Sequence, residues 1–214
     1  MPDAELPPNQ NVPFPLSRQF IIIFSLAAAA FFLLLSWVIT VFFRGQSFFS
    51  LFTSGKSLTE QILLGLLLGV ELAIYVALIV GKTRAFARFR NFLRGMFSRV
   101  RPSGLDMALV SLGAGLSEEV FFRATLQPML GVWFTSLLFV LAHLGVGRFN
   151  RAKIAFGAFI FSMSVLFGFT YEQVGLVAAI VAHASYNLVF LYMVRHFLRT
   201  DDAQQVIGAD GGIA

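Results

Sequence analysis

Two adjacent glutamates and an arginine, Glu118, Glu119 and Arg123, stand among phenylalanines in the stretch GLSEEVFFRATLQP that ends at Pro128. At the centre of a transmembrane helix such groups cost roughly 2.5–3.5 kcal/mol each on insertion scales, so they face a bundle interior, pair with one another or serve function. Glu119 and Arg123 are four residues apart, share a helix face and can form an ion pair. Glu118 projects about 100° away from Glu119 and is left free for chemistry. Two imidazoles follow on other apolar segments, His143 in FVLAH and His183 in HASYN, the latter four residues before Asn187. A carboxylate and an imidazole together can activate a water by general-base catalysis. A second imidazole and an amide can donate hydrogen bonds to the developing oxyanion of an acyl-transfer intermediate. Glu118, His143, His183 and Asn187 therefore form a candidate catalytic set suited to amide hydrolysis, with Glu119 and Arg123 in support. Each residue also has a plainer use. Glu119 and Arg123 can tie helices together, and His and Asn are common interhelical glue in membranes.

Other chemistries are narrowed by what the sequence lacks. With no cysteine in 214 residues there is neither a disulfide nor a thiolate ligand or nucleophile. No serine stands in an arrangement resembling an elbow, and no HExxH helix is present. A divalent-metal site built from Glu118, His143 and His183 stays open beside the metal-independent mechanism, because three N/O ligands plus water suit catalytic zinc.

These side chains must be carried by membrane-spanning helices. The chain is 57% hydrophobic and 13% charged, against about 25% charged in a soluble domain. Six apolar segments follow one another: 19–43, 58–80, 110–130, 132–146, 154–171 and 174–194. Segments of this length are helices, since only helices and closed barrels satisfy the backbone in lipid. The expectation is an all-α polytopic transmembrane bundle with about six spans, 19–199, whose catalytic core is 110–194. The third and fourth segments abut, which requires a tight antiparallel pair. Pro128 cannot donate to the carbonyl of Ala124, so the helix can kink there.

The net charge of +5 is read as loop charge that orients the spans, not as a nucleic-acid surface. Arginines and lysines gather in 82–101, after the fourth segment and after the sixth, so both termini are expected in the cytoplasm. Within 82–101, arginines alternate with Phe86, Phe89, Phe92, Leu93 and Phe97, as in an amphipathic helix lying at the membrane interface. It can present membrane-bound substrates or simply anchor the topology. The Pro-rich start, 1–18, reads as a disordered tail without a cleavable signal peptide, and 200–214 as a flexible polar tail. Counting about 1.5 Å per residue from the cytoplasmic side places Glu118 about 12 Å, His143 about 6 Å, Asn187 about 10 Å and His183 about 16 Å deep, which allows them to converge.

The three elements EEVFFR (118–123), FVLAH (139–143) and HASYN (183–187) resemble the EExxxR, FxxxH and HxxxN motifs of the CPBP family of intramembrane proteases. That family includes the type II CAAX prenyl proteases and the bacterial Abi proteins. The resemblance covers 118–187 and shows no departure at the motif positions. It implies an intramembrane endopeptidase in which Glu118, assisted by His143, activates water. His183 and Asn187 would then stabilise the oxyanion, with Glu119 and Arg123 shaping the site. The implied partners are the lipid bilayer and a membrane-associated peptide or protein substrate, and the compact chain suggests a bacterial plasma membrane. Two rivals use the same residues. One is a non-catalytic scaffold or bacteriocin-immunity protein binding a partner in the cavity. The other is a proton-coupled transporter, which the lack of an internal repeat disfavours.

Overall fold

A computed structural model describes residues 17–83, 86–144 and 151–210. Most of the expected N-terminal tail (1–16), the linker positions 84 and 85, the end of the fourth expected span (145–146) and the last four residues lie outside the described residues. Among those described there is no strand. Seven α-helices follow in order: α1 Arg18–Val38, α2 Leu58–Lys82, α3 Ala87–Val100, α4 Gly104–Glu119, α5 Gln127–Leu144, α6 Arg151–Gln173 and α7 Leu176–Asp210. Residues 200–210, expected to be a flexible tail, continue α7 as helix.

The helix starts follow local chemistry. Ser57 and Glu60 form a capping box at α2, and Ser103 and Asp106 form another at α4, each satisfying N–H groups that have no partner within their helix. Asp106 also accepts from Arg18 Nε at 2.7 Å, tying the start of α1 to the start of α4. Gln61, buried in α2, reaches the start of α7, where its Oε1 accepts from the Val177 N–H at 3.0 Å while its Nε2 donates to the Lys56 carbonyl.

Among the described residues, five continuous helical stretches are long and apolar enough to cross a membrane: Arg18–Phe43, Leu58–Gly81, Gly104–Leu144, Lys153–Gln173 and Leu176–His196. Six apolar segments appear as five because the third and fourth are joined without a loop. A straight helix of the 41 residues Gly104–Leu144 would be about 62 Å long, twice the thickness of a hydrocarbon core. It is broken at Gly131, whose φ of 76° and ψ of 165° are non-helical. These angles lie in a region that essentially only glycine occupies, so one residue makes the turn between the two limbs.

The bundle is organised around α7. Gly65 and Gly69 of α2 lie against it, and a Cβ at Gly65 would come 2.6 Å from the Ala178 carbonyl oxygen. One at Gly69 would collide with Ser185 Oγ and the Ala182 carbonyl. Gly115 of α4 lies as close on another side, its would-be Cβ 2.9 Å from the Cβ of Ala184. Ala182 and Ala184 point about 200° apart around α7, so α2 and α4 grip opposite flanks. Small residues that let helix backbones approach supply the van der Waals contact that drives association in lipid. Large apolar side chains point outward instead, among them Phe24, Phe31 and Leu34 of α1 and Trp133, Phe134 and Leu137 of α5. The amphipathic α3 docks rather than floating free. Leu93 is buried in a cluster with Val194 of α7, and Arg90 Nη1 donates to the Val80 and Thr83 carbonyls at the end of α2.

Candidate active site

The last residues of α4 run into a π-helical segment, Val120–Leu126, before α5 begins. Its wider ladder is visible where the Gln127 N–H bonds to the Phe122 carbonyl, five residues back. Such segments are frequent at functional sites. Here the segment directly follows Glu118 and Glu119 and carries Arg123. The carbonyl of Ala124, which Pro128 cannot bond, is satisfied from α1's side of the bundle, where Arg44 Nη1 donates to it. Pro128 itself lies within α5, the break in the helix falls three residues later at Gly131, and Arg44 covers the acceptor that the proline frees.

Glu119 is fully buried and uses both oxygens. Oε2 accepts from Arg123 Nε at 3.0 Å, and Oε1 accepts from His183 Nδ1 at 2.7 Å. Arg123, also fully buried, donates from Nη2 to Ser164 Oγ at 2.7 Å on α6, and its guanidinium lies 5.5 Å from the ring centroid of Phe139 on α5. A buried ion pair needs further hydrogen bonds on its remaining groups; His183 and Ser164 supply two of them, and Arg123 Nη1 has none. The i,i+4 pair expected from spacing is present, and it reaches α5, α6 and α7 together.

Glu118 faces a different environment. Its Oε2 has no hydrogen bond and stands 3.6 Å from His143 Nε2. The His143 ring is stacked on Phe139 at a centroid distance of 4.2 Å, and its Nδ1 lies 2.8 Å from the Phe139 carbonyl oxygen. A carbonyl only accepts, so Nδ1 carries the proton and Nε2 is turned to Glu118. A water at ordinary hydrogen-bond distance, about 2.8 Å, from both atoms completes a triangle with them. His143 is also the more open of the two, with 34% of its side chain exposed against 16% for Glu118.

His183 sits between Phe167, stacked at 5.2 Å, and the edge of Phe139 at 6.3 Å. Its Nδ1 is committed to Glu119, which leaves Nε2 as its working atom. Asn187 follows one turn later on α7, half-buried and without a hydrogen bond among the described residues. Phe139 therefore touches both histidines and Arg123, a role its place in FVLAH does not announce. Ser164, Phe167 and Arg44 likewise had no signal of their own, since each acts through a partner on another helix. Gln127 donates from Nε2 to the Gly168 carbonyl and to Glu172 Oε1, each at 3.0 Å, and closes the site towards the α6–α7 turn.

The candidate metal set of Glu118, His143 and His183 does not assemble as one. Among the described residues no three His, Asp or Glu side chains are grouped so as to hold an ion. What the arrangement offers is a carboxylate with an unshared oxygen beside an imidazole, next to a rigid carboxylate–arginine clamp. Residues 101–189, which carry all three motifs, match the family model described as type II CAAX prenyl endopeptidase Rce1-like. No curated protein and no solved structure matches the chain.

Proposed function

We propose, from the match of residues 101–189 to the Rce1-like family model, that this chain is an intramembrane endopeptidase that cleaves a membrane-associated peptide or protein with water activated by Glu118. The observation that carries the reading is the unbonded Glu118 Oε2 facing His143 Nε2 at 3.6 Å. A water held between them loses a proton to Glu118 as its oxygen attacks the scissile carbonyl carbon. His143, fixed by the Phe139 carbonyl, orients that water. The carbonyl oxygen becomes an oxyanion, which Asn187 stabilises through its amide N–H groups and His183 through Nε2 in the doubly protonated form. Collapse of the tetrahedral intermediate breaks the C–N bond, and the proton on Glu118 passes to the leaving nitrogen. Glu119 and Arg123 touch no reacting atom in this scheme; they hold His183 and the π segment in place.

In the proposed orientation both termini and α3 face the cytoplasm of a bacterial cell, a topology that the basic clusters support. His143, at the end of α5, then opens the site towards that side, and α3 lies where an interfacial substrate arrives. The test compares new peptide termini in membranes holding the wild type or Glu118→Ala at matched levels, followed by cleavage with purified protein. Termini found only with the wild type support the protease. Identical profiles with an unchanged cellular phenotype would favour the partner-binding reading.

A further inference from the structure

Glu71 lies at the middle of α2, about 20 Å from its first residue and about 16 Å from its last, which is near the bilayer midplane for a spanning helix. It is exposed and has no hydrogen-bond or ionic partner among the described residues. A carboxyl group turned to hydrocarbon is costly, and such groups normally face another protein surface. Nothing in the site described above uses it.

The residues around Glu71 say what kind of surface it belongs to. Leu64, Leu67, Glu71, Ile74 and Leu78 recur at spacings of three and four, and the four apolar ones are 40–57% exposed. This is a heptad seam with one polar residue in its centre, the pattern by which parallel helices pair and fix their register. The opposite face of α2, with Gly65 and Gly69, is already taken by α7.

We infer that this seam is a dimer interface and that its occupant is α2 of a second copy of this chain. Copies inserted in one membrane share one orientation, so their α2 helices meet in parallel and Glu71 meets Glu71 at the same depth. A neutral carboxyl group is both donor and acceptor, so two of them bond to each other across the twofold axis. A helix from another protein would need its own polar group at this depth, whereas a second copy supplies it by symmetry.

The chain has no cysteine, so single cysteines report contacts cleanly in the purified full chain reconstituted in lipid vesicles. Leu67→Cys and Leu78→Cys, with Glu71 intact, are expected to cross-link under oxidation into a species of twice the chain mass. Leu66→Cys, at an exposed position about 140° from Glu71, is expected not to cross-link. By energy transfer between labelled copies on lipid dilution, Glu71→Leu is expected to raise the dissociation constant by about fivefold. Glu71→Gln, whose carboxamide is also self-complementary, should dimerise as the wild type does. Monomers at every dilution, equal cross-linking at all three positions, or unchanged association of Glu71→Leu would overturn the inference. The cysteine arm retains Glu71 and remains decisive if the leucine variant folds poorly.

Discussion

His143 Nε2 stands 3.6 Å from Glu118 Oε2, although an uninterrupted helix over the 25 residues between them would hold them about 37 Å apart. The turn at Gly131 brings them face to face. That turn is a backbone device, because a Cβ placed at Gly131 would meet nothing within 4 Å. Gly131→Ala is therefore expected to destabilise the protein by about 1–3 kcal/mol through its dihedral angles alone, and to lower peptidase activity as His143 loses its place. Thermal unfolding in detergent and a cleavage assay check both effects; an unchanged midpoint would show that the turn tolerates a side chain.

Glu118→Gln preserves shape and removes the base. Peptide cleavage should fall by about a hundred- to ten-thousandfold, with the thermal midpoint close to that of the wild type because Glu118 Oε2 has no hydrogen bond to lose. His143→Ala should reduce the turnover similarly.

Arg123→Ala leaves the buried Glu119 carboxylate with His183 alone as its partner. The expected loss is about 3–5 kcal/mol of stability, large enough to reduce accumulation in the membrane. Ser164→Ala removes one acceptor from Arg123 Nη2 and should cost about 1–3 kcal/mol, the usual penalty for a buried polar group left without its partner. Thermal unfolding of the purified variants orders the two, and a Ser164 variant weaker than the Arg123 variant would contradict the clamp.

Gly115 and Gly113 form a matched pair on α4. A Cβ at Gly115 would lie 2.9 Å from the Ala184 backbone nitrogen, whereas one at Gly113 meets only Ala29 Cβ, at 4.0 Å. Gly115→Ala is expected to push α7 away, cost about 1–3 kcal/mol and separate His183 from Glu119. Gly113→Ala should be neutral or slightly stabilising as a helix substitution. Equal tolerance of both in unfolding and cleavage assays would argue against the close approach of α4 and α7.

Read from sequence, Glu119 and Arg123 were already a pair and Glu118 already stood apart from it, because the α-helical period decides which side chains of one helix can meet. The apolar segments and the abutment of the third and fourth were legible for a similar reason: lipid demands long continuous helices, and segments without a loop must fold back. The partner of His183 was not legible. It is Glu119, 64 positions away in the chain, and only the close contact of α4 with α7 at Gly115 and Ala184 selects it. Nor did the spacing reveal that Arg44 covers the Ala124 carbonyl, or that Ser164 completes the arginine clamp. The sequence alone therefore determined the helices, their polar faces and the family motifs. Tertiary structure decided which faces meet, because packing between helices depends on the approach of small residues spread over distant segments, which no local periodicity encodes.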